Sequence, residues 1–581
     1  MKIKHLFGLA VIAAMTASCS SNEDLGTAGP GTGTNEAGVG YATFTINLPS
    51  TNGTRAGNPT YDQGTFDEYD VNDVTLLIFK KAGTSEGDYT FVEKANLGNM
   101  APWKAEGSNG ITASATITAK LSNVALTNEG STSDYYALAI LNNNADATGA
   151  GKVKLPTTGT YSTWNDASNA DVAKFTDNTN GFYMANAPVF VAGGEPTTLV
   201  NINRVYATKQ KAETNAATTI HVERGLAKVS IESDAFPSTI TPSGTIYNED
   251  KVDITAWKLD VTNKSTFPIH KTAGLKNTKF STIWSNTPTT TGASVTRFVD
   301  GDNPSFKRVH WGIDPNYSTA LDNLSDCQGA FNVLPADATI DGAANEPQYC
   351  LENTFDIEHM KQGQTTRVVF KATYKPKGFT AGETFYKIGN STDLWSEANL
   401  KAQIAAKAAE VLGASSAITV DLDATENDIK NNAGTKLLVK ENVKNGGTAV
   451  NDAQIADINA KLGLKAAGTD PSKDPIVGIA TYKDGESYYI ARIKHFGVLT
   501  PWAEGQDTYG TNNEENNTKY LGRYGVLRNN WYELKVGSVS GPGTPDVPTI
   551  KPDVPDDESY RYISVSVKIL SWAKRSDTVD L

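Results

Sequence analysis

Cysteine and histidine are scarce, with three Cys and six His in 581 residues. Thiolate-rich zinc sites and disulfide-dense scaffolds are thereby excluded. Positive charge is in deficit: 52 Lys+Arg stand against 65 Asp+Glu, a net charge of −13. That argues against nucleic acid as a partner, because phosphate binding needs a basic face. Hydrophobic residues make up 39%, and the apolar run at the N-terminus is too short to span a bilayer comfortably, so a multi-span membrane protein is excluded. The sequence contains no GxSxG, P-loop, GxGxxG or HExxH motif. His221, His270, His310, His359 and His495 have no metal-ligand spacing and read as packing or surface residues. Asp177-Asn178-Thr179-Asn180-Gly181 resembles the start of a calcium loop. Its third position is Thr, however, and Pro188 stands where the bidentate Glu belongs, so a turn is the better reading. Asp67, Glu68, Asp70 and Asp73 would flank a cation or, more simply, form a solvated acidic face. No catalytic residue, metal or cofactor is expected.

What is present is concentrated at the two ends. Lys2, Lys4 and His5 precede the apolar run Leu6 to Ala17, in the pattern of an export signal. Thr16-Ala17-Ser18-Cys19 then places small residues before a lone Cys, as at a bacterial lipoprotein processing site with Cys19 as the lipidated residue. The alternative is ordinary secretion with an incidental Cys. Ser20 to Gly40 is polar and Gly-rich, a solvated tether. In Tyr41 to Leu48 the apolar residues Ala42, Phe44, Ile46 and Leu48 alternate with Thr43, Thr45 and Asn47, predicting a half-buried strand. Pro49 and the loop-forming stretch Ser50 to Pro59 come next. Arg55, the first basic residue after Cys19, sits in that loop, where proteases cut.

At the other end, residues 541–559 form a Pro- and Asp-rich spacer, expected to be extended and stiff. Behind it Ile563, Val565, Val567 and Ile569 alternate with Ser564, Ser566 and Lys568. A clean strand isolated by a spacer has no obvious place in its own domain, and one solution is pairing with another molecule's sheet edge. Burying those four apolar residues is worth about 6–12 kcal/mol gross, against the cost of ordering the strand.

The body reads as mostly β, with 50 Gly and 24 Pro making it slightly turn-rich. Strands are expected at Val74–Phe79, Tyr135–Leu141, Leu226–Ile231, Val252–Val261, Thr366–Tyr374, Tyr488–Lys494 and Trp531–Val536. Ser396–Leu412 departs from this with Leu400, Ile404, Val411 and Leu412 at helical spacing and Gly413 as a stop. Asn451 with Gln454 caps a second helical stretch, so 390–465 reads as a partly helical insertion. Cys327 and Cys350 would either bridge, closing a loop worth about 3 kcal/mol, or remain two buried thiols.

In combination these segments resemble a fimbrillin of the type V pili, the shaft subunit of Mfa-type short fimbriae in particular. The resemblance rests on Ser18-Cys19, on Tyr41 to Gly57 with Arg55-Ala56 at the cleavage point, on His221-Val-Glu-Arg-Gly-Leu-Ala-Lys-Val229, and on Leu527 to Tyr532 paired with Ile563 to Trp572 and Thr578 to Leu581. It implies an all-β chain of two β-sandwich (transthyretin-like, Greek-key) domains. The expected layout is a signal peptide at 1–18, a tether and propeptide strand at 19–55, an N-terminal domain at 56–220, a C-terminal domain at 221–540 and a C-terminal donor strand at 560–581. It further implies a palmitate-bearing outer-membrane lipoprotein precursor, cut after Arg55 by an Arg-specific surface protease. The strand Tyr41–Leu48 would be lost and its groove filled by a neighbour's Ile563 to Ile569. The product would be a head-to-tail homopolymer, joined to other fimbrial subunits and meeting host or bacterial surface receptors in adhesion and biofilm formation. A tip or accessory subunit, a monomeric glycan-binding surface lipoprotein and a hydrolase with a dispersed site are the alternatives.

Overall fold

The computed structural model describes residues 39–48, 60–62, 68, 70–97, 114–143, 151–167, 172–175, 181–190, 196–273 without 234 and 245, 307–309, 311–356, 359–413, 417–471, 474–495, 522, 524–556, 563–571 and 574–576. Cys19, Arg55, Ala56 and the Asp177–Asn180 part of the calcium-like loop lie outside the described residues. The fold is mostly β.

The N-terminal half contributes β1 (Gly40–Asn47), β2 (Thr60–Asp62), β3 (Val74–Lys80), β4 (Thr90–Asn96), β5 (Ser114–Leu121), β6 (Tyr135–Leu141), β7 (Met184–Asn186) and β8 (Thr218–Arg224). All but β2 join one sheet in the order β4-β3-β6-β7-β8-β1-β5. β8 turns the sheet back on itself. Its first half, Thr218 to His221, runs parallel to β1, while Val222 to Arg224 pair antiparallel with β7. Ala42, Phe44 and Ile46 of β1 thereby share a core with Leu76 and Ile78 of β3 and with Ala137, Ala139 and Leu141 of β6. β3 is buried on both faces: Leu77 and Phe79 point into a second cluster with Tyr161, Trp164, Tyr183 and Leu351. A strand covered on both sides needs no polar alternation, which is why Leu76–Phe79 is a continuous apolar run.

Beyond β8 the chain passes through Gly225 into its second half. His221 to Arg224 belong to β8 and so to the first sheet. The chain must pass tightly here, since a Cβ at Gly225 would lie 2.8 Å from the Phe175 and Tyr183 rings. The elements of this half are β9 (Leu226–Ile231), β10 (Lys251–Asp260), α1 (Leu324–Ala330), β11 (Gln348–Leu351), β12 (Arg367–Lys375), β13 (Phe385–Ile388), α2 (Glu397–Leu412), α3 (Asp452–Lys461), β14 (Ile479–Tyr482), β15 (Glu486–Arg492), β16 (Asn530–Val539), β17 (Ile563–Ser571) and β18 (Lys574–Ser576). The sheets β11-β9-β16-β17 and β10-β12-β15 enclose one core, from Val229 and Ile231 through Trp257, Phe370 and Tyr374 to Tyr532 and Leu534.

Between β12 and β15 lies a module with its own core. Ser396 caps α2 through the Asn399 N–H, and Gly413 ends the helix in the left-handed conformation at φ 63°. Asn451 and Gln454 form a capping box on α3. Leu400, Ile404, Ile455 and Ile458 pack with Tyr386 and Ile388 of β13 and Ile479 of β14. The module thus reaches beyond 390–465 into both flanking strands.

Candidate strand-exchange site

Period-two alternation puts Ala42, Phe44, Ile46 and Leu48 on the inner face of β1, all buried. On the outer face the Thr43 and Thr45 hydroxyls bond those of Thr118 and Thr116 at 2.8 and 3.0 Å. β1 is antiparallel to β5 along its whole length, Gly40 opposite Leu121 and Asn47 opposite Ser114. It is parallel to β8 from Phe44 to Asn47. Among the described residues β5 has no other ladder partner. Taking β1 away would therefore open a slot between β5 and β8, with unpaired backbone on both walls and an apolar floor. The entry is close-fitting, because a Cβ at Gly40 would lie 2.3 Å from Val205 Cγ1.

Past β2 the chain is fastened by Glu68. Lys228 Nζ donates to Glu68 Oε1 at 2.5 Å and the Tyr349 hydroxyl donates to the same oxygen at 2.7 Å. Arg224 Nε donates to the Glu68 carbonyl at 2.7 Å. The Lys228 ammonium also lies 3.8 Å from the centroid of the Trp531 ring. Glu68 and Lys228 are both buried, and they tie the segment after Arg55 to β9, β11 and β16. The acidic stretch around Glu68, expected on the surface or at a cation, thus supplies an internal ion pair. Nothing in local sequence signals it, since Lys228 lies 160 residues away.

The C-terminal strand lies against its own subunit. β17 is antiparallel to β16, pairing Ile563 with Val539, Val565 with Val536, Val567 with Leu534 and Ile569 with Tyr532, with a bulge between Val536 and Ser538. Among the described residues it forms the edge of its sheet. Beyond it, β18 pairs antiparallel with β2, Lys574 opposite Asp62 and Ser576 opposite Thr60. The preceding spacer also departs from expectation. Instead of standing free, residues 541–556 are laid along the second half of the chain. The Tyr489 and Tyr482 hydroxyls donate to the Gly541 and Gly543 carbonyls at 3.0 and 2.8 Å. Thr544 exchanges backbone bonds with Tyr488, both at 2.9 Å, and Val547 and Ile550 are buried. Hydrogen bonds at its start and two buried apolar side chains among the prolines together hold the segment down.

Cys327 and Cys350 are free thiols, not a bridge. Cys350, on β11, faces the main core of the second half. Cys327, on α1, sits in a separate cluster with Leu321 and Phe331. Burial pushes the two thiols up, Cys327 to about 11 and Cys350 to about 12. His270 and His495 serve packing: His270 Nδ1 bonds Glu223 at 2.7 Å, and His495 Nδ1 bonds the Tyr532 hydroxyl at 2.8 Å. A cavity of about 1100 Å³ is lined by Glu86, Tyr89, Tyr136, Tyr161, Asn165 and Lys271 among others. Two of its charged groups are engaged within the fold. Glu86 accepts from the Thr198 and Leu199 N–H groups at 2.8 and 3.0 Å, and Lys271 pairs with Asp166 at 2.7 Å.

Residues 480–578, which hold β15, β16, β17 and β18, match the family model "Major fimbrial subunit protein type IV, Fimbrillin, C-terminal". Over this C-terminal part the chain is similar to the fimbrillin family. No curated protein matches the chain. Among solved structures it is similar to a fimbrilin of Porphyromonas gingivalis W83, at 12% identity over 92% of this chain and 99% of that one, with a TM-score of 0.35. A putative cell adhesion protein of Parabacteroides distasonis ATCC 8503 aligns at 11% identity over 92% and 97%, with a TM-score of 0.37. The tip fimbrial protein Mfa3 of Porphyromonas gingivalis aligns at 9% identity over 92% and 100%, with a TM-score of 0.28. All three scores are too low for any one of those folds to stand for this one.

Proposed function

We propose that the chain is the shaft subunit of a type V pilus, polymerised by donor-strand exchange and serving cell adhesion and biofilm formation at the bacterial surface. In this reading it is exported as an outer-membrane lipoprotein through Cys19, folds as two β-sandwich domains, and is cut after Arg55 by an Arg-specific protease. The observation that carries the reading is the placement of β1. One strand fills a slot between β5 and β8, and the loop that joins it to the rest of the chain contains Arg55. Glu68 anchors the segment beyond the cut. A head-to-tail contact of this kind does not close on itself, so it grows a fibre. While β1 is in place the slot is filled from within the chain, which keeps subunits from associating before processing.

A second reading, a monomeric glycan-binding surface lipoprotein, is favoured by β17 lying on its own subunit and by the Tyr-lined cavity. One experiment separates them. Protein lacking residues 1–18 is treated with an Arg-specific protease, then sequenced from its N-terminus and run unboiled on an SDS gel. A new terminus at Ala56 with an SDS-resistant ladder is expected. Arg55→Ala and deletion of residues 560–581 should each abolish the ladder. Clean cleavage at Ala56 without a ladder would point to a tip or accessory subunit. No cleavage in that loop would favour the monomeric binder.

A further inference from the structure

β2 and β18 form a ladder of only three residues, Thr60 to Asp62 against Lys574 to Ser576. A two-stranded ladder that short is not stable alone and persists only while both strands are held close. β18 is held through β17, two residues upstream, which pairs with β16 along nine positions. β2 is held from both sides. Upstream, residues 49–59 connect it to β1, itself locked between β5 and β8. Downstream, the buried Glu68 ties it to Lys228, Tyr349 and Arg224.

We propose that the β2–β18 ladder is a latch that keeps the C-terminal strand on its own subunit until the chain is cut at Arg55. The inference rests on the strand-exchange reading and adds a coupling to it. The upstream tether of β2 contains the processing loop. After cleavage and departure of β1, β2 is tied from its downstream side alone, where Glu68 is the first described anchor, and its free end begins four residues ahead of Thr60. The local concentration of β2 at β18 falls, the ladder loosens, and the end of β17 frays from β16. One cut would thus do two things: it opens the acceptor slot and loosens the donor strand. Neither function is exposed on an unprocessed subunit.

The test is backbone hydrogen exchange, read by mass spectrometry on peptides covering residues 563–571. The protein is the Cys19→Ser precursor, before and after cleavage at Arg55, held too dilute to polymerise. Exchange in this segment should be slow before the cut and roughly tenfold faster after it. Deleting residues 574–581 from the uncut chain should give the fast rate without any cut. Tyr61→Pro, which removes a backbone N–H from β2, should do the same. Equal exchange before and after cleavage would overturn the latch, as would slow exchange in both uncut variants. These outcomes are separable from failure of the function itself. A ladder on the SDS gel with unchanged exchange removes the latch alone. Faster exchange with no ladder at any concentration supports the latch and removes donor-strand polymerisation.

Discussion

Glu68 shows how one residue far from any motif can fasten a distant segment in place. Its carboxylate meets the Lys228 ammonium at hydrogen-bond distance, and both groups are out of water. Glu68→Gln would take that counter-charge away from a buried ammonium. Breaking a buried pair from one side costs about 3–5 kcal/mol, so the urea midpoint of the variant should fall accordingly, with the slope of the transition unchanged. The cysteines give a second prediction. Thiols raised to about 11 and about 12 carry almost no thiolate near neutral pH, and the thiolate is the reactive form. In protein lacking residues 1–19, iodoacetamide at pH 8 should add no mass to the native fold. It should add two adducts in guanidinium without reductant. A bridge would give none in either condition. Spacing allowed a bridge, which the structure does not form, because spacing does not report that Cys350 and Cys327 face different clusters.

Among the elements, β1 and β17 are the pair that the proposed function exchanges, and their present environments differ. β1 is interior, laddered on both sides, with Phe44 and Ile46 fully buried. β17 is an edge strand laddered on one side. An edge strand is the cheaper one to detach, which suits a donor. Phe44→Ala should destabilise the uncut chain by about 3–5 kcal/mol, read as a lower denaturation midpoint. It should leave the stability of the assembled polymer at the parent value, because β1 is no longer there. Equal loss in both states would mean that β1 is retained. The alternation of both strands is plain in the sequence. That β1 runs parallel to β8 and antiparallel to β5 is not, since pairing partners lie from about 70 to 170 residues away and period two alone fits either direction.

For the whole molecule, the proposed function makes the slot left by β1 a binding site for a strand, and ligand binding stabilises a fold by mass action. Cleaved protein that also lacks residues 560–581 should melt at a lower temperature than the uncut chain. A synthetic peptide of residues 560–576 should raise that temperature in a concentration-dependent way. At a hundredfold excess over its Kd the gain is about 2.7 kcal/mol. A scrambled peptide of the same composition should do nothing, and equal effects from both would count against a specific slot.

Composition and periodicity by themselves determined that this chain is mostly β, that two period-two strands stand near its ends, that a basic residue lies in the loop after the first, and that two capped helices interrupt the second half. Each of those rests on residues within about twenty positions of one another. Tertiary structure alone decided what depends on distant partners. It drew the chain tight at Gly225, between β8 and β9, where ring packing leaves no room for a side chain. It buried Glu68 against Lys228. It pinned the Pro-rich spacer through Val547 and Ile550, and it placed the C-terminal strand on β16 with its tail against β2. Local propensity specifies what a segment becomes; which surface it meets is settled by the burial and hydrogen bonding that the assembled chain offers.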